Sequence, residues 1–158
     1  MSTVAKYFKV VAENRKARFD YTILETYNAG LVLTGTEVKS IRAGKANLQD
    51  SFGRAEKNEL CLYGMHISPY ESSGLKKLDP LRPRKLLLQK REILKLTGKV
   101  AEKGLTLVPL KLFLDGNWVK VEIALVKSKR KYEKRETLRR RTAEREIEDA
   151  FKKKRYGK

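Results

Sequence analysis

The sequence predicts a mainly β fold with short helices, an antiparallel barrel of the oligonucleotide-binding kind, extended by a basic C-terminal arm. Three observations lead there. About six apolar segments with strand-like patterning are separated by turn residues, and barrel closure lets short strands avoid exposed edges. The chain carries 37 Lys/Arg against 19 Asp/Glu, a formal net charge of +18. Half of that excess, 15 Lys/Arg against 6 Asp/Glu, lies in residues 127–158. Cations at this density displace counterions from phosphates and bind nucleic acid without reading its sequence.

The expected organisation is a mobile N-terminal segment at 1–13, an RNA-binding barrel at 14–126 and the arm at 127–158. Phe19, Tyr21, Ile23 and Tyr27 fall on alternate positions, a period of two that fits a half-buried strand. Asn28-Ala29-Gly30 reads as a turn into a second strand, Leu31 to Thr34. Thr36 is the expected cap of a short helix, Glu37 to Arg42, closed by Gly44. Residues Phe52 to Ala55 and Glu59 to Ile67 predict a hairpin around Lys57-Asn58, ended by Pro69. Residues 71–83, with Ser72-Ser73-Gly74, Pro80 and Pro83, read as loop. Leu86 to Leu88 fits a strand or a helix entry. Ile93, Leu94, Leu96 and Val100 follow a helical spacing that stops by Gly104, with Gly98 weakening the pattern. Leu105 to Leu114 and Trp118 to Val126 predict two long strands joined by Asp115-Gly116-Asn117, a strong hairpin signal.

The arm has another character. From Glu133 to Arg155 it holds helix formers and neither Pro nor Gly, with acids placed four residues before bases at Glu136/Arg140, Glu148/Lys152 and Asp149/Lys153. Its apolar stripe, Leu138, Ala143, Ile147, Ala150 and Phe151, is thin and broken. Helices owe most of their stability to packing such a stripe, so the arm is expected to be disordered alone and helical when bound to RNA.

Composition excludes several classes. The longest apolar runs are three or four residues, too short to span a bilayer, and the N-terminus lacks the apolar stretch of an export signal. One cysteine, Cys61, can form no internal disulfide, so the expected compartment is the reducing cytoplasm. With one histidine, His66, the chain offers no zinc set, and Gly98-Lys99 lacks the rest of a phosphate-binding loop. Asp20, Glu37 and Asp50 match no metal motif. No catalytic residue, metal or cofactor is expected. The candidate binding residues are bases beside flat or apolar groups: Arg15, Lys16, Arg18 and Phe19; Arg84 and Lys85 before Leu86-Leu87-Leu88; and Trp118 with Lys120 on one face of the last hairpin. Aromatics offer stacking surfaces to unpaired bases, and Lys/Arg grip phosphates. A general single-strand-binding barrel in the style of cold-shock proteins is the competing reading, and it requires broad binding to unstructured RNA.

The segments NRKARFDYTILETYNAG, LTGTEVKSIRAGKANLQDSF, HISPY, RPRKLLLQKREI and GKVAEKGLTLVPL closely resemble the bacterial SsrA-binding protein (small protein B) family over residues 14–135. The resemblance implies a non-enzymatic, monomeric adaptor of trans-translation. Such a protein binds the tRNA-like domain of transfer-messenger RNA and travels with elongation factor Tu and GTP through that RNA. On stalled ribosomes it stands in for the anticodon arm, and its tail lies at the decoding centre and in the empty mRNA path of the small subunit. By resemblance, Leu87 and Lys120 take positions used against the tRNA-like domain. Asn28 stands where family members carry an acid, which removes a charge and keeps hydrogen bonding. In the arm, Lys129, Arg130, Tyr132, Glu133, Lys134 and Arg135 take positions that meet the ribosome. Ser128 replaces a hinge glycine, and Tyr132 replaces a histidine of some members, keeping a stacking ring without an imidazolium charge.

Overall fold

A computed structural model describes residues 8–70, 78–102 and 104–157. The predicted Ser72-Ser73-Gly74 stretch of the loop lies outside these residues. The elements in chain order are β1 (Phe8–Glu13), α1 (Arg15–Asp20), β2 (Tyr21–Leu31), α2 (Gly35–Arg42), β3 (Ala46–Asn47), β4 (Phe52–Glu56) and β5 (Glu59–Tyr63). They continue with β6 (His66–Ile67), β7 (Arg84–Leu87), α3 (Lys90–Val100), β8 (Leu105–Asp115), β9 (Trp118–Ser128) and α4 (Lys131–Tyr156).

The main sheet runs β1-β8-β4-β5-β7-β2-β9, and β9 pairs back onto β8. Six antiparallel strands therefore close a barrel, with β1 added on β8 outside the ring. Between β4 and β8 the ladder that closes the ring has a single pair, Gly53 against Leu107. A Cβ on Gly53 would lie 2.8 Å from that of Leu107, so only glycine lets the strands meet there. Two hairpins follow from turn chemistry. Lys57 and Asn58 both take positive φ, 45° and 60°, and Gly116 takes φ 60° between β8 and β9.

Leucines of β5, β7, β8 and β9 fill the interior, and Leu96 of α3 packs into it. A second, smaller cluster lies outside the ring: Val108, Leu110, Ala124 and Val126 are covered by Ala17 of α1. Irregular pairings between Ile23 and Glu25 and between Pro109 and Lys111 let β2 and β8 serve both clusters. They also accommodate Pro109, which has no N–H for a ladder. Asn14 ties α1 down: its Oδ1 accepts from Ala17 N at 3.2 Å and its Nδ2 donates to the Pro109 carbonyl at 3.1 Å.

Several expectations are corrected. Phe8–Glu13, placed in a mobile segment, is a strand paired with β8, because Phe8 packs on Phe113 with ring centroids 4.6 Å apart. Phe19 belongs to α1 rather than to a strand, and β2 starts at Tyr21. Asn28-Ala29-Gly30 is no turn; β2 runs straight through it, with Ala29 fully buried. The cap of α2 is Thr34, whose Oγ1 accepts from Glu37 N while Glu37 accepts from Thr34 N, so the helix begins two residues early. The strand predicted to Ile67 breaks at Gly64 (φ 75°), and His66–Ile67 pairs instead with Ala46–Asn47. Strand β9 continues to Ser128, beyond the expected end of the barrel. The arm carries a helix, as its helix-forming composition implies: α4 spans 26 residues, none of them buried. Its first turn is stabilised by Glu133, which accepts from Arg130 N at 2.8 Å.

Candidate RNA-binding surfaces

Strand register assembles the first surface. Gly30 of β2 pairs with Leu87 of β7 on one side and Lys120 of β9 on the other. Paired residues share a face, so Leu87, Gly30 and Lys120 form one row across three strands, roughly 10 Å wide. Gly30 leaves a notch between two side chains: a Cβ there would meet Leu87 Cβ at 3.3 Å. Asn28 lies two residues along β2 on the same outer face, exposed, opposite Glu122. Leu87 is 50% exposed, unusual for a leucine in a central strand. Lys120 Nζ sits 2.8 Å from Asp115 Oδ2, which holds the ammonium at this surface. Trp118, on the face of Lys120, is 74% exposed, and Phe8 is exposed across Asp115. Phe8 was missed in the sequence, although FKVVAE carries a strand-like apolar pattern that could have revealed it.

Lys85 shares the outer face with Leu87 and pairs with Glu59 at 2.8 Å. Arg84 does not. Its guanidinium is 1% exposed, because inward Leu86 fixes the parity of β7 and turns Arg84 into the protein. Nε donates to Glu37 Oε2 at 2.6 Å, Nη1 to the Met65 carbonyl at 2.6 Å and Nη2 to the Pro80 carbonyl at 3.0 Å. Arg82 holds the other Glu37 oxygen. Burial pushes the Glu37 carboxyl up, but Arg82, the Thr34 amide and Arg84 outweigh it and hold it below the usual carboxylate range. Arg84 is thus a structural cation that no phosphate can reach, which overturns its place among the RNA-binding residues.

The second surface surrounds α1, at the end of β9 opposite Lys120. Arg15, Lys16 and Arg18 are exposed; Arg15 approaches Glu13 and Lys16 approaches Asp50, each at 3.9 Å. Phe19 is half-buried beneath Arg141 of the arm, whose guanidinium carbon lies 5.7 Å from the ring centroid. The nine body residues singled out in the sequence therefore divide among two surfaces and, for Arg84, the interior.

In the arm, Tyr132 is 60% exposed, and Arg130 and Arg135 point to solvent. Glu133 caps the helix, Lys134 pairs with Asp20 at 3.5 Å, and Lys129 donates to the Arg18 carbonyl at 3.4 Å. Carboxylates considered for metal binding have cation partners instead: Asp20 with Lys134, Asp50 with Lys16, Glu37 with two arginines. Glu25 lies against Lys99 at 2.5 Å, and this contact, with the Tyr27 hydroxyl and Lys95, holds its pKa at about 2. Burial and then Glu56 and Glu59 push the Cys61 thiol up, away from nucleophilic character. Among the described residues no helix is long and apolar enough to cross a membrane.

A closed antiparallel barrel that displays an apolar-basic row beside exposed aromatics, and projects a cationic helix, defines a nucleic-acid-binding module. The chain belongs to the SmpB protein family, whose model matches residues 11–153. It is 58% identical over 144 residues to the SsrA-binding protein of Gloeobacter violaceus, covering 91% of this chain and 95% of that one. To the SsrA-binding protein of Caldanaerobacter subterraneus it is 55% identical over 157 residues, with 99% of both covered. A solved structure described as "tmRNA-SmpB: a journey to the center of the bacterial ribosome" contains a chain that is 51% identical. That match covers 81% of this chain and 94% of the other, with a TM-score of 0.65.

Proposed function

We propose that this chain is a non-enzymatic, cytoplasmic RNA-binding adaptor of ribosome rescue by trans-translation. It captures the tRNA-like domain of transfer-messenger RNA, stands in for the missing anticodon arm, and brings that RNA to stalled ribosomes with elongation factor Tu and GTP. The reading rests on family membership, on relatives described as SsrA-binding proteins, and on a structural neighbour whose description names tmRNA-SmpB and the bacterial ribosome.

The observation that carries the binding role is the Leu87–Gly30–Lys120 row with Asn28 beside it. The notch at Gly30 admits an RNA backbone close to the sheet. Leu87 offers an apolar contact, Asn28 a neutral hydrogen-bonding group, and Lys120 exchanges Asp115 for a phosphate. Lys85, Arg15, Lys16 and Arg18 add positive potential around the barrel, and Arg130, Tyr132 and Arg135 face the decoding centre and mRNA path from the arm. Competition of transfer-messenger RNA, ordinary tRNA and unstructured RNA for the full chain tests this. Preference for transfer-messenger RNA supports it, whereas equal displacement by unstructured RNA would favour the cold-shock-like reading.

A further inference from the structure

When Lys120 leaves Asp115 for a phosphate, the carboxylate loses a cation 2.8 Å away and gains a like charge nearby. The Asp115 side chain is only 18% exposed, so the exchange is costly unless the incoming RNA also brings it hydrogen-bond donors. Register shows what stands around it. Asp115 of β8 pairs with Phe8 of β1 on one side and with Trp118 of β9 on the other. Paired residues share a face, so the carboxylate lies between two aromatic side chains that rise from strands about 10 Å apart. Trp118 is 74% exposed and Phe8 57%. Phe8 rests on Phe113, whose register partner is Lys120, with ring centroids 4.6 Å apart. Packing therefore sets the place of Phe8 while much of its ring stays open.

We infer that Phe8, Asp115 and Trp118 form a site for one unpaired guanine of a bound RNA, beside the phosphate at Lys120. The site rests on the reading that this face captures RNA, and its ligand follows from the chemistry of the carboxylate. An ionised carboxylate only accepts hydrogen bonds. Guanine is the base that presents two adjacent donors, N1–H and the 2-amino group, on its Watson–Crick edge, so it alone can meet both carboxylate oxygens. Adenine and cytosine each set an acceptor beside their amino group, and uracil flanks its N3–H with two carbonyls, so each turns a lone pair toward Asp115. Trp118 and Phe8 offer stacking surface to any base, and Asp115 makes the choice. The ion pair then exchanges completely: Lys120 passes to phosphate and Asp115 to the guanine edge, and neither charge is left without a partner.

The chain holds a single tryptophan, Trp118, so its fluorescence reports on this site alone. The full chain is titrated with a uridine nonamer carrying guanine, inosine or adenine at its fifth position, and with the unsubstituted nonamer. Quenching should show the guanine form binding about ten-fold more tightly than the adenine form, the discrimination of one bidentate base contact. Inosine, which lacks the 2-amino group, should lose most of that preference. Asp115→Asn should level the guanine and adenine forms. It should also bind the unsubstituted nonamer at least as tightly as the wild-type chain, because it removes a negative charge from a phosphate site, and this separates lost recognition from lost fold. Equal binding of the guanine and adenine forms by the wild-type chain, or a preference that survives Asp115→Asn or inosine, overturns the site. Lys120→Ala should weaken every nonamer and keep the guanine preference, so failure of the phosphate contact and failure of the base site give different results.

Discussion

Replacing Arg84 by alanine removes a buried cation and leaves its partners inside the protein. Three hydrogen bonds are lost, to Glu37 Oε2 and to the carbonyls of Met65 and Pro80. Glu37, 5% exposed, keeps Arg82 and the Thr34 amide but loses its innermost counter-charge. Breaking a buried pair from one side costs about 3–5 kcal/mol. Arg82 remains on the other oxygen, so the lower end, about 3 kcal/mol, is expected, and the upper end if the carbonyls stay dry. For a domain of this size that corresponds to a fall in Tm of roughly 6–20 °C. Thermal and urea unfolding of Arg84→Ala beside the wild-type chain measures it, with RNA affinity determined well below the variant's Tm. Stability should fall while affinity of the folded protein holds. A loss under about 1 kcal/mol, or weakened RNA binding at unchanged Tm, would refute the assignment and return Arg84 to the binding surface.

Lys120→Ala should weaken RNA capture and reduce the slope of log affinity against log salt by roughly 0.7–0.9, the loss of one phosphate contact; salt titration of binding checks it. The folded carboxyl of Glu37 lies below its ordinary value of 4.5, and that of Glu25 is held at about 2, so both favour folding when ionised. Their stabilisation is complete above pH 4.5; the Glu25 share is lost as pH falls toward about 2 and the Glu37 share as pH falls through its lowered value, so urea midpoints across acid pH should show a shallower decline in Glu37→Gln. In the arm, Tyr132→Ala should impair tagging several-fold more than Tyr132→Phe, because stacking uses the ring and not the hydroxyl; equal tagging by the two variants would remove Tyr132 as a stacking anchor.

The parts legible in the sequence were those governed by neighbours in the chain. Lys57-Asn58 and Asp115-Gly116-Asn117 announced their hairpins through turn chemistry, and the spacing of Ile93, Leu96 and Val100 announced α3. Misreadings arose where distant partners decide. Phe19 continued the alternation of Tyr21 and Ile23 by coincidence of parity, while Asn14 caps a helix that packs on Pro109 and Leu110 some 95 residues away. Gly30 reads as a turn residue in sequence, yet it serves lateral closeness to Leu87. In sequence Arg84 reads as one more exposed base, although sharing parity with Leu86 points it inward; its partner Glu37 lies 47 residues away. Lys120 and Leu87 come together in the sequence only through the resemblance, and the register through Gly30 supplies the physical reason, one row across three strands. The helix of the arm is legible in its helix formers and acid–base spacing, whereas its contacts with Asp20 and Phe19 join segments far apart in the chain.

In the proposed division of labour the barrel captures RNA and the arm acts on the ribosome. Truncation after Lys131 separates them: it removes α4 beyond its first residue and retains every strand of the barrel. In one reconstituted reaction, binding of the tRNA-like domain and tagging of stalled nascent chains should be measured for the truncated and full chains. Near-normal capture is expected, with a modest loss of non-specific attraction, and no tagging. Normal tagging by the truncated chain, or loss of specific capture by a folded barrel, would contradict it.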